Sequence, residues 1–404
     1  MNLTDIDDKT IKGSQKQGIP LNKFTEFYVE AFFEDIKKLN IQAADKYPKA
    51  TEHIPEMVAL IKTLMTKGVA YKGEDDSIYF SVNKFSEYGK LSKIKVGELK
   101  TGARVSQDEY AKEEARDFAL WKAWTPEDGE VFWETELGKG RPGWHIECSA
   151  MSTKYLGATF DIHCGGIDNM FPHHENEIAQ SEAAYDEPFV RHWIHVEHLL
   201  VNGTKMSKSQ GNFYTLRDLL EMGNSPRSIR HLLLTAHYRK QLNFTLEGIK
   251  QSDQALARID NLLLRLEHIK GGKDNPELDT ILEKMNRNFI ESVDNDLNIS
   301  GGLGVFFEFV HLINTLISEE KISGEDAAKI IKAIENIDQV FGFIFMEEPS
   351  SNVDEERINS LIEERLNAKK EKNFQRADEI RLMLENKGII LEDTKDGTRW
   401  KEKR

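Results

Sequence analysis

Residues 160–185 read FDIHCGGIDNMFPHHENEIAQSEAAY, an apolar run of strand length that passes into a pattern with helical spacing. Further along the chain, VRHWIHVEHLLV (190–201) is again an apolar run of strand length, and LRDLLEMG (216–223) again has helical spacing. Strands that alternate with helices favour an α/β domain, in which helices cover a parallel sheet. Residues 141–252 are therefore predicted to form the second half of such a domain.

The regions on either side of this domain have different patterns. Upstream, FTEFYVEAFFEDIKKLNI (24–41) and IPEMVALIKTLMTKGVAY (54–71) repeat apolar residues at helical spacing. Short alternating pieces then predict a β-containing insertion, and four amphipathic stretches further on predict a helical bundle. The predicted organisation is a first part of the α/β domain (1–71), an insertion (72–140), the second part of that domain (141–252), a helical bundle (253–345) and a C-terminal module of two helices, a short strand and a basic end (354–404).

The charge of the chain limits the kinds of partner it can bind. Its 404 residues carry 54 Lys and Arg against 69 Asp and Glu, a formal net charge of −15. This balance excludes a uniformly basic nucleic-acid clamp, so any site for a polyanion must be local. A chain of this length is expected to hold two to four domains.

Cysteine usage and hydropathy indicate the compartment. The chain has two cysteines, Cys148 and Cys164, which excludes a disulfide framework and fits a reducing environment. In the sequence, no apolar run is expected to reach the ~20 residues that span a bilayer, and Met1 is not followed by a signal-peptide pattern. We therefore expect a cytoplasmic protein that does not bind a membrane.

Three residues have the types and the spacing of a metal site. His173 and Glu177 stand at i and i+4, so both side chains project from one face of a predicted helix, and Cys148 lies 25 residues before His173. A thiolate, an imidazole and a carboxylate from two elements predict a zinc site with an open position, which is the catalytic kind. The alternative is a buried apolar cysteine beside a solvated, histidine-rich helix start. Further ligand capacity lies nearby in His163, Cys164 and His174, although Cys164 is expected to be a packed thiol.

Two segments could bind a nucleotide. Gly165 and Gly166 end a predicted strand, where the backbone can approach a ligand closely, and Asp168 could then accept ribose hydroxyls. The loop KMSKS (205–209) offers Lys205 and Lys208 as mobile donors for phosphate oxygens. Each segment also has an ordinary interpretation, the first as a plain turn and the second as a solvated loop.

Several motifs together carry a family resemblance. These are TDIDDK (4–9), GWHIECS (143–149), GGIDNMFPHHENEIAQSEA (165–183), KMSKS, and ADEIR with GIILEDTKDGT near the end. In this order they resemble cysteinyl-tRNA synthetase, a class I aminoacyl-tRNA synthetase with a Rossmann-like nucleotide-binding domain, a connective insertion, a helical bundle and an anticodon-binding module. The resemblance implies ATP-dependent activation of cysteine, with Mg²⁺ accompanying ATP, to cysteinyl-adenylate, followed by transfer to tRNA(Cys).

The resemblance also implies roles for individual residues. Lys208 would contact ATP in the transition state, with Lys205 supporting the loop. Cys148, His173 and Glu177 would hold a zinc ion that binds the substrate thiolate, a ligand that the hard hydroxyl of serine cannot replace. Trp144 and Thr4 would line the cysteine subsite, whereas the ordinary interpretation of Trp144 is a core aromatic residue.

The C-terminal end is where the resemblance implies anticodon recognition. Residues 365–404 hold 12 Lys and Arg and 8 Asp and Glu, a local excess of +4 on a chain of −15. Phe374 could stack on a base, while Asp378, Arg381 and Asp393 could hydrogen-bond base edges. The alternative is a solvated helical hairpin with Phe374 buried.

The chain departs from the family pattern at its start. In the family, a zinc-ligating cysteine and a His-x-Gly-His motif precede TDIDDK, whereas the first cysteine here is Cys148 and His53 lies in TEHIPE. This departure leads to the expectation of a truncated, incomplete nucleotide-binding domain with impaired catalysis. Two alternatives remain open, a ligase that joins cysteine to an amino sugar and a non-catalytic tRNA-binding protein. The family implies a monomer.

Overall fold

The computed structural model describes residues 1–94, 117–207, 211–346, 355–370, 373–385, 389–394 and 397–402. The chain divides into two compact units. The first comprises Met1–Gln251 with Asn288–Val305, and the second comprises Ser252–Arg287 with Phe306–Arg404. Lys208 of the KMSKS loop lies outside the described residues.

The first unit begins with three helices, α1 (Asp8–Gln17), α2 (Leu21–Lys38) and α3 (Ile54–Thr66). At the start of α1, Asp7 accepts a hydrogen bond from the Thr10 backbone N–H while the Thr10 hydroxyl accepts one from the Asp7 N–H, so both free donors are satisfied. The apolar face of α3 is buried, as its helical period predicted.

An antiparallel sheet follows, in the region where the sequence predicts a β-containing insertion. Its five strands run in the order β1-β2-β3-β5-β4. Their bounds are β1 (Ala70–Lys72), β2 (Ile78–Phe80), β3 (Phe118–Ala123), β4 (Trp133–Thr135) and β5 (Gly138–Pro142). Tyr79, Phe80 and Trp121 are fully buried, and Phe80 and Trp121 anchor this sheet to a core that also includes α3.

The predicted alternation of strands and helices is found after this sheet. Helix α4 (Trp144–Leu156) precedes β6 (Phe160–Gly166), and α5 (Glu175–Tyr185) connects β6 to β7 (Val190–Val196). Strands β6 and β7 pair in parallel, with Gly165 opposite His195. This βαβ unit confirms the α/β prediction for residues 160–185 and the strand that follows them.

Smaller elements follow β7 in the first unit. A three-stranded sheet has the order β10-β8-β9, with β8 (Leu199–Val201), β9 (Thr204–Lys205) and β10 (Leu242–Phe244). Helices α6 (Leu216–Glu221) and α7 (Pro226–Leu234) lie between β9 and β10 along the chain. They pack on this sheet through Leu219, Ile229 and Leu232.

Four helices correspond to the four amphipathic stretches of the predicted bundle. They are α8 (Leu246–Glu267), α9 (Leu278–Asp294), α10 (Ile299–Ser318) and α11 (Gly324–Phe341). Ser323 caps α11 in a reciprocal pair with Asp326, and Gly342 ends the helix with a φ of 66°. These four helices lie where the helical spacing of apolar residues predicts them, so the predicted helices of the bundle are confirmed. The boundaries of the five predicted domains stay predictions.

The C-terminal module has one element more than the sequence predicts. Helices α12 (Glu355–Lys370) and α13 (Phe374–Glu385) are followed by β11 (Ile389–Thr394) and β12 (Gly397–Glu402), which pair as antiparallel strands. The basic end therefore forms a second strand. It was missed because its charged residues conceal the strand pattern, while backbone pairing with β11 stabilises it.

Helix α10 is long and apolar enough to span a membrane, by length and composition alone. The sequence-based expectation that no such segment exists was therefore wrong on this criterion. Phe306, Val310 and Ile313 of this helix are buried while Glu308 and His311 are exposed. This arrangement is that of an amphipathic helix with one face in a protein core.

Candidate functional site: a buried thiol, imidazole and carboxylate

Helices α4 and α5 bring together the three residues of the predicted metal site. The ligand atoms of Cys148, His173 and Glu177 all lie within 4.8 Å of one another. Cys148 lies in the second turn of α4, Glu177 in the first turn of α5, and His173 just before α5. The Nε2 atom of His173 is 3.0 Å from Oε1 of Glu177, as the i, i+4 spacing predicts.

The charges of this group are unbalanced without a cation. Burial raises the pKa of the Cys148 thiol well above its ordinary value, and the carboxylates of Glu177 and Glu147 raise it further. Burial would also raise the pKa of Glu177, but the contact with His173, together with the interactions with His163 and His174, outweighs burial and lowers it. Glu177 is fully buried, and neither of its oxygens accepts a well-directed hydrogen bond from the described residues. A divalent cation would satisfy both the carboxylate and a thiolate, so the residues fit a zinc ion.

Two neighbours on α4 hold the imidazole of His173. Nδ1 of His145 is 2.8 Å from Nδ1 of His173, which leaves Nε2 of His173 on the side of Glu177, 3.0 Å from its Oε1. The indole of Trp144 stacks on the His173 ring at a centroid distance of 4.0 Å. Hydrogen bonding at one ring nitrogen orients the other for a metal. The residues Cys148, His173 and Glu177 are called the metal group below. Trp144 is 40% exposed and stacks on His173 of this group, so the ordinary interpretation of Trp144 as a core aromatic residue does not hold.

A second group of histidines faces the other side of Glu177. Ligand atoms of His163, His174 and Glu177 also lie within 4.8 Å of one another, and His163 Nε2 is 3.8 Å from Oε2 of Glu177. Burial lowers the pKa of His174 to about 3 and also lowers the pKa of His163. These imidazoles are therefore neutral at pH 7. Cys164 lies exposed on β6 and belongs to neither group, so the expectation of a packed thiol was wrong.

The space beside the glycines is filled by side chains of the chain itself. A Cβ atom on Gly165 would lie 2.5 Å from Cε1 of His174, and one on Gly166 would lie 2.5 Å from Oδ1 of Asp168. Asp168 is exposed in the turn after β6. The lack of a side chain at Gly165 thus makes room for the His174 ring, a reason that the sequence analysis did not consider. The nucleotide-binding role of these three residues stays a prediction.

The described part of the KMSKS loop is held by a buried asparagine. Asn212 donates to the carbonyl of Lys205 at 3.2 Å and accepts from the Ser207 N–H at 2.8 Å. Lys205 itself is exposed at the end of β9. Sequence reasoning missed Asn212 because nothing in the word SQGN distinguishes a buried amide from a loop residue.

Thr4, which the resemblance assigns to the cysteine subsite, lies far along the sequence from the metal group. Thr4 is exposed and lines a cavity of about 370 Å³ together with Phe24 and Tyr28. Its neighbour Asn2 donates a hydrogen bond to the sulfur of Cys148 at 3.1 Å. The start of the chain therefore approaches the metal group through Asn2, which the sequence analysis did not single out.

Three predicted anticodon residues share one face of α13. Phe374, Asp378 and Arg381 stand at i, i+4 and i+7, and all three are exposed. Phe374 is 62% exposed, so the alternative of a buried phenylalanine is wrong. Asp393 lies in β11 with its backbone opposite Thr398, and its side chain lies outside the described residues.

Comparison with known proteins identifies the class. Residues 1–254 match the catalytic domain of class I (C) tRNA synthetases, and residues 288–346 match the DALR domain. Two methionyl-tRNA synthetase structures from Mycobacterium tuberculosis share the fold, with TM-scores of 0.56 and 0.54 at 14% and 15% identity. They cover 77% and 84% of this chain, which itself covers 74% and 76% of theirs. The fold and the domain matches define a class I aminoacyl-tRNA synthetase.

Curated relatives narrow the class to one family. The cysteine–tRNA ligase of Brachyspira hyodysenteriae is 53% identical over 409 residues, which cover 100% of this chain and 86% of that protein. The enzyme of the same name from Chlamydia trachomatis serovar A is 47% identical over 415 residues, with 100% and 86% coverage. The chain belongs to the cysteine–tRNA ligase family. The predicted resemblance is confirmed: the alignments run the whole length of this chain and cover 86% of each relative.

Proposed function

We propose that the chain is a cysteine–tRNA ligase that selects cysteine through a zinc ion held by Cys148, His173 and Glu177. The observation that carries this proposal is the buried Glu177 carboxylate, which faces a thiol and an imidazole and lacks a directed hydrogen bond from the described residues. A zinc ion bound there would supply a Lewis acid that accepts the sulfur of cysteine as a ligand. The family membership supports this assignment.

The residues around this group have separate tasks in the proposal. His145 orients the His173 ring, and Trp144 provides an apolar wall that is half open to a ligand. Proton release from the Cys148 thiol accompanies binding of a cation, because only the thiolate is a good ligand. If a Cys148 variant loses the cation, the buried Glu177 carboxylate keeps only its contact with His173.

The reaction proposed for this chain has two steps. The carboxylate of cysteine attacks the α-phosphorus of ATP, which forms cysteinyl-adenylate and releases pyrophosphate with its Mg²⁺. A terminal ribose hydroxyl of tRNA(Cys) then attacks the acyl carbon, which forms cysteinyl-tRNA and releases AMP. Lys205 and Lys208 would stabilise phosphate charge in the first step, and positioning supplies much of the remaining rate.

Base recognition is proposed for the exposed face of α13. Phe374 offers a ring for stacking, and Asp378 and Arg381 offer an acceptor and a donor beside it, with Asp393 assigned by the motif alone. If Arg381→Ala leaves the preference for a cysteine anticodon unchanged, this assignment is wrong. We further propose a cytoplasmic monomer, which light scattering of the full chain and cell fractionation would test.

The test of the function uses the full chain and a matched pair of variants. The wild-type protein should catalyse cysteine-dependent ATP–pyrophosphate exchange and cysteinylation of tRNA(Cys), and should contain zinc by metal analysis. Cys148→Ser should lose both the metal and the exchange activity, while Cys164→Ser should keep both, because Cys164 belongs to neither ligand group. The reverse pattern would overturn the ligand set, and absence of exchange by the wild-type chain would overturn the function.

A further inference from the structure

The turn between α9 and α10 is fastened to the segment that follows α7. The side chain of Arg239 donates twice to the carboxylate of Asp296, from Nε at 2.5 Å and from Nη2 at 3.1 Å. The hydroxyl of Tyr238 donates to the same carboxylate at 2.5 Å. One carboxylate therefore receives three donors from two adjacent residues. Both segments belong to the first compact unit.

His237 adds a fourth contact, and its tautomer follows from its partners. The backbone N–H of Arg239 donates to Nδ1 of His237 at 3.2 Å, so in the neutral ring the proton resides on Nε2. That Nε2–H donates to the carbonyl oxygen of Asp296 at 3.0 Å. The ring also stacks on Tyr238 at a centroid distance of 4.8 Å. Three successive side chains thus converge on a single residue of the turn.

The backbone of this turn is strained. Asp296 and Leu297 have φ values of 58° and 53°, in the left-handed region that is energetically costly for a non-glycine residue. Leu297 is 49% exposed, so burial of its side chain does little to offset that cost. Strained residues persist where their surroundings fix them, and they concentrate at functional positions. A lone exposed ion pair contributes little, whereas a bidentate arginine in a network can hold such a turn.

The same segment also contacts the strand beside the metal group. The carbonyl oxygen of Tyr238 accepts a hydrogen bond from the backbone N–H of Glu197 at 2.8 Å. Glu197 directly follows β7, and His195 of β7 is hydrogen-bonded to His174 at 2.8 Å. A short chain of contacts therefore runs from Asp296 through Tyr238 to the end of β7.

These contacts connect the two matched domains of the synthetase. Asp296 belongs to the DALR match (288–346), while Tyr238 and Glu197 belong to the catalytic match (1–254). Formation of the adenylate needs only cysteine and ATP, whereas acyl transfer needs the end of a tRNA in the same site. A contact between the catalytic-domain segment and the DALR-domain segment is therefore expected to affect acyl transfer more than adenylate formation.

We propose that Asp296 is a positioning residue that fixes the end of β7 for tRNA-dependent acyl transfer. The proposal rests on the proposed function for its reaction steps. In it, Asp296 holds His237–Arg239, and Tyr238 in turn holds Glu197. The side chain of Asp296 acts through these contacts and not on the substrates.

The experiment compares three variants of the full chain with wild type. Asp296→Asn removes the charge that receives the three donors, and Tyr238→Phe removes a single hydroxyl. Asp294→Asn is the matched control, since it makes the same change two residues earlier, at the end of α9. Each protein is assayed for pyrophosphate exchange, for tRNA cysteinylation and for amide hydrogen exchange of residues 195–199.

The proposal predicts a split between the two steps. Asp296→Asn should lower kcat/KM for tRNA about tenfold and keep pyrophosphate exchange within about twofold, and Tyr238→Phe should show a smaller split of the same kind. Amide exchange of residues 195–199 should be faster in Asp296→Asn and unchanged in Asp294→Asn. A parallel loss of both activities, or amide exchange equal to wild type, would overturn the proposal. If wild type shows no pyrophosphate exchange, the proposed function fails, and the amide exchange still decides whether Asp296 holds β7.

Discussion

The carboxylate of Glu175 holds the segment that follows β2 of the antiparallel sheet. Its Oε1 accepts from the Gly89 N–H at 2.8 Å and from the Leu91 N–H at 3.5 Å, and its Oε2 accepts from the Ser92 N–H at 2.8 Å. Glu175 is fully buried at the start of α5. Both oxygens are needed, because Gly89 donates to Oε1 and Ser92 donates to Oε2.

Glu175→Gln tests this arrangement with almost no change in shape. The amide of glutamine offers one acceptor oxygen, so its NH₂ group must face a backbone N–H. One charge-assisted hydrogen bond, of about 1.5–3 kcal/mol, is lost, and the orphaned donor stays buried. A loss of about 2–3 kcal/mol should lower the melting temperature of the first unit by roughly 4–12 °C.

Calorimetry of the full chain measures that shift, and amide hydrogen exchange localises it. Exchange at Gly89, Leu91 and Ser92 should become faster in Glu175→Gln. Glu187→Gln is the control, because Glu187 is exposed and surface changes of this kind stay within about 0.5 kcal/mol. A melting temperature within about 1 °C of wild type, with unchanged exchange at these residues, would refute the assignment of the loop anchor to Glu175.

Three further predictions concern single residues. Gly165→Ala should lower stability by about 1–3 kcal/mol in thermal melts, because its Cβ atom would overlap the ring of His174. Asn212→Ala should raise KM for ATP in pyrophosphate exchange without a comparable change in KM for cysteine, because Asn212 fixes Lys205 and Ser207 of the KMSKS loop. Asp296 has its pKa lowered to about 2 by hydrogen bonds from Arg239 and Tyr238. A carboxylate with a depressed pKa contributes stability above its unfolded value, near 3.8, that is lost as the pH falls toward 2. Acid melts between pH 4 and pH 2 should accordingly be less steep for Asp296→Asn than for wild type.

The spacing of apolar residues along the chain explains which parts of the fold were predictable. The bundle helices and the βαβ unit follow the apolar spacing, because each has one face against a core. The strand Gly397–Glu402 was missed, since its stability comes from pairing with β11 and not from an apolar pattern. The apolar helix Ile299–Ser318 was underestimated because Glu308 and His311 interrupt its hydrophobic run in the sequence.

The site was predictable where its geometry is local. His173 and Glu177 meet because one helical turn separates them, and Cys148 could be added by its chemistry. His195 was missed because only the parallel register of β6 and β7 places it opposite Gly165 and beside His174. The role of Asn2 depends equally on tertiary structure, since 146 positions separate it from the sulfur that it contacts.

The first turn of helix α5 contributes both to the segment at Gly89 and to the metal group. Successive residues of a helix point about 100° apart, so Glu175, Asn176 and Glu177 face three directions. Glu175 holds the loop at Gly89, Asn176 accepts a hydrogen bond from Tyr88, and Glu177 lies in the metal group. A helix that is buried on all these sides must give each polar group its own partner. The same requirement places Glu175, which anchors the segment at Gly89, two residues before the candidate ligand Glu177 on one helix.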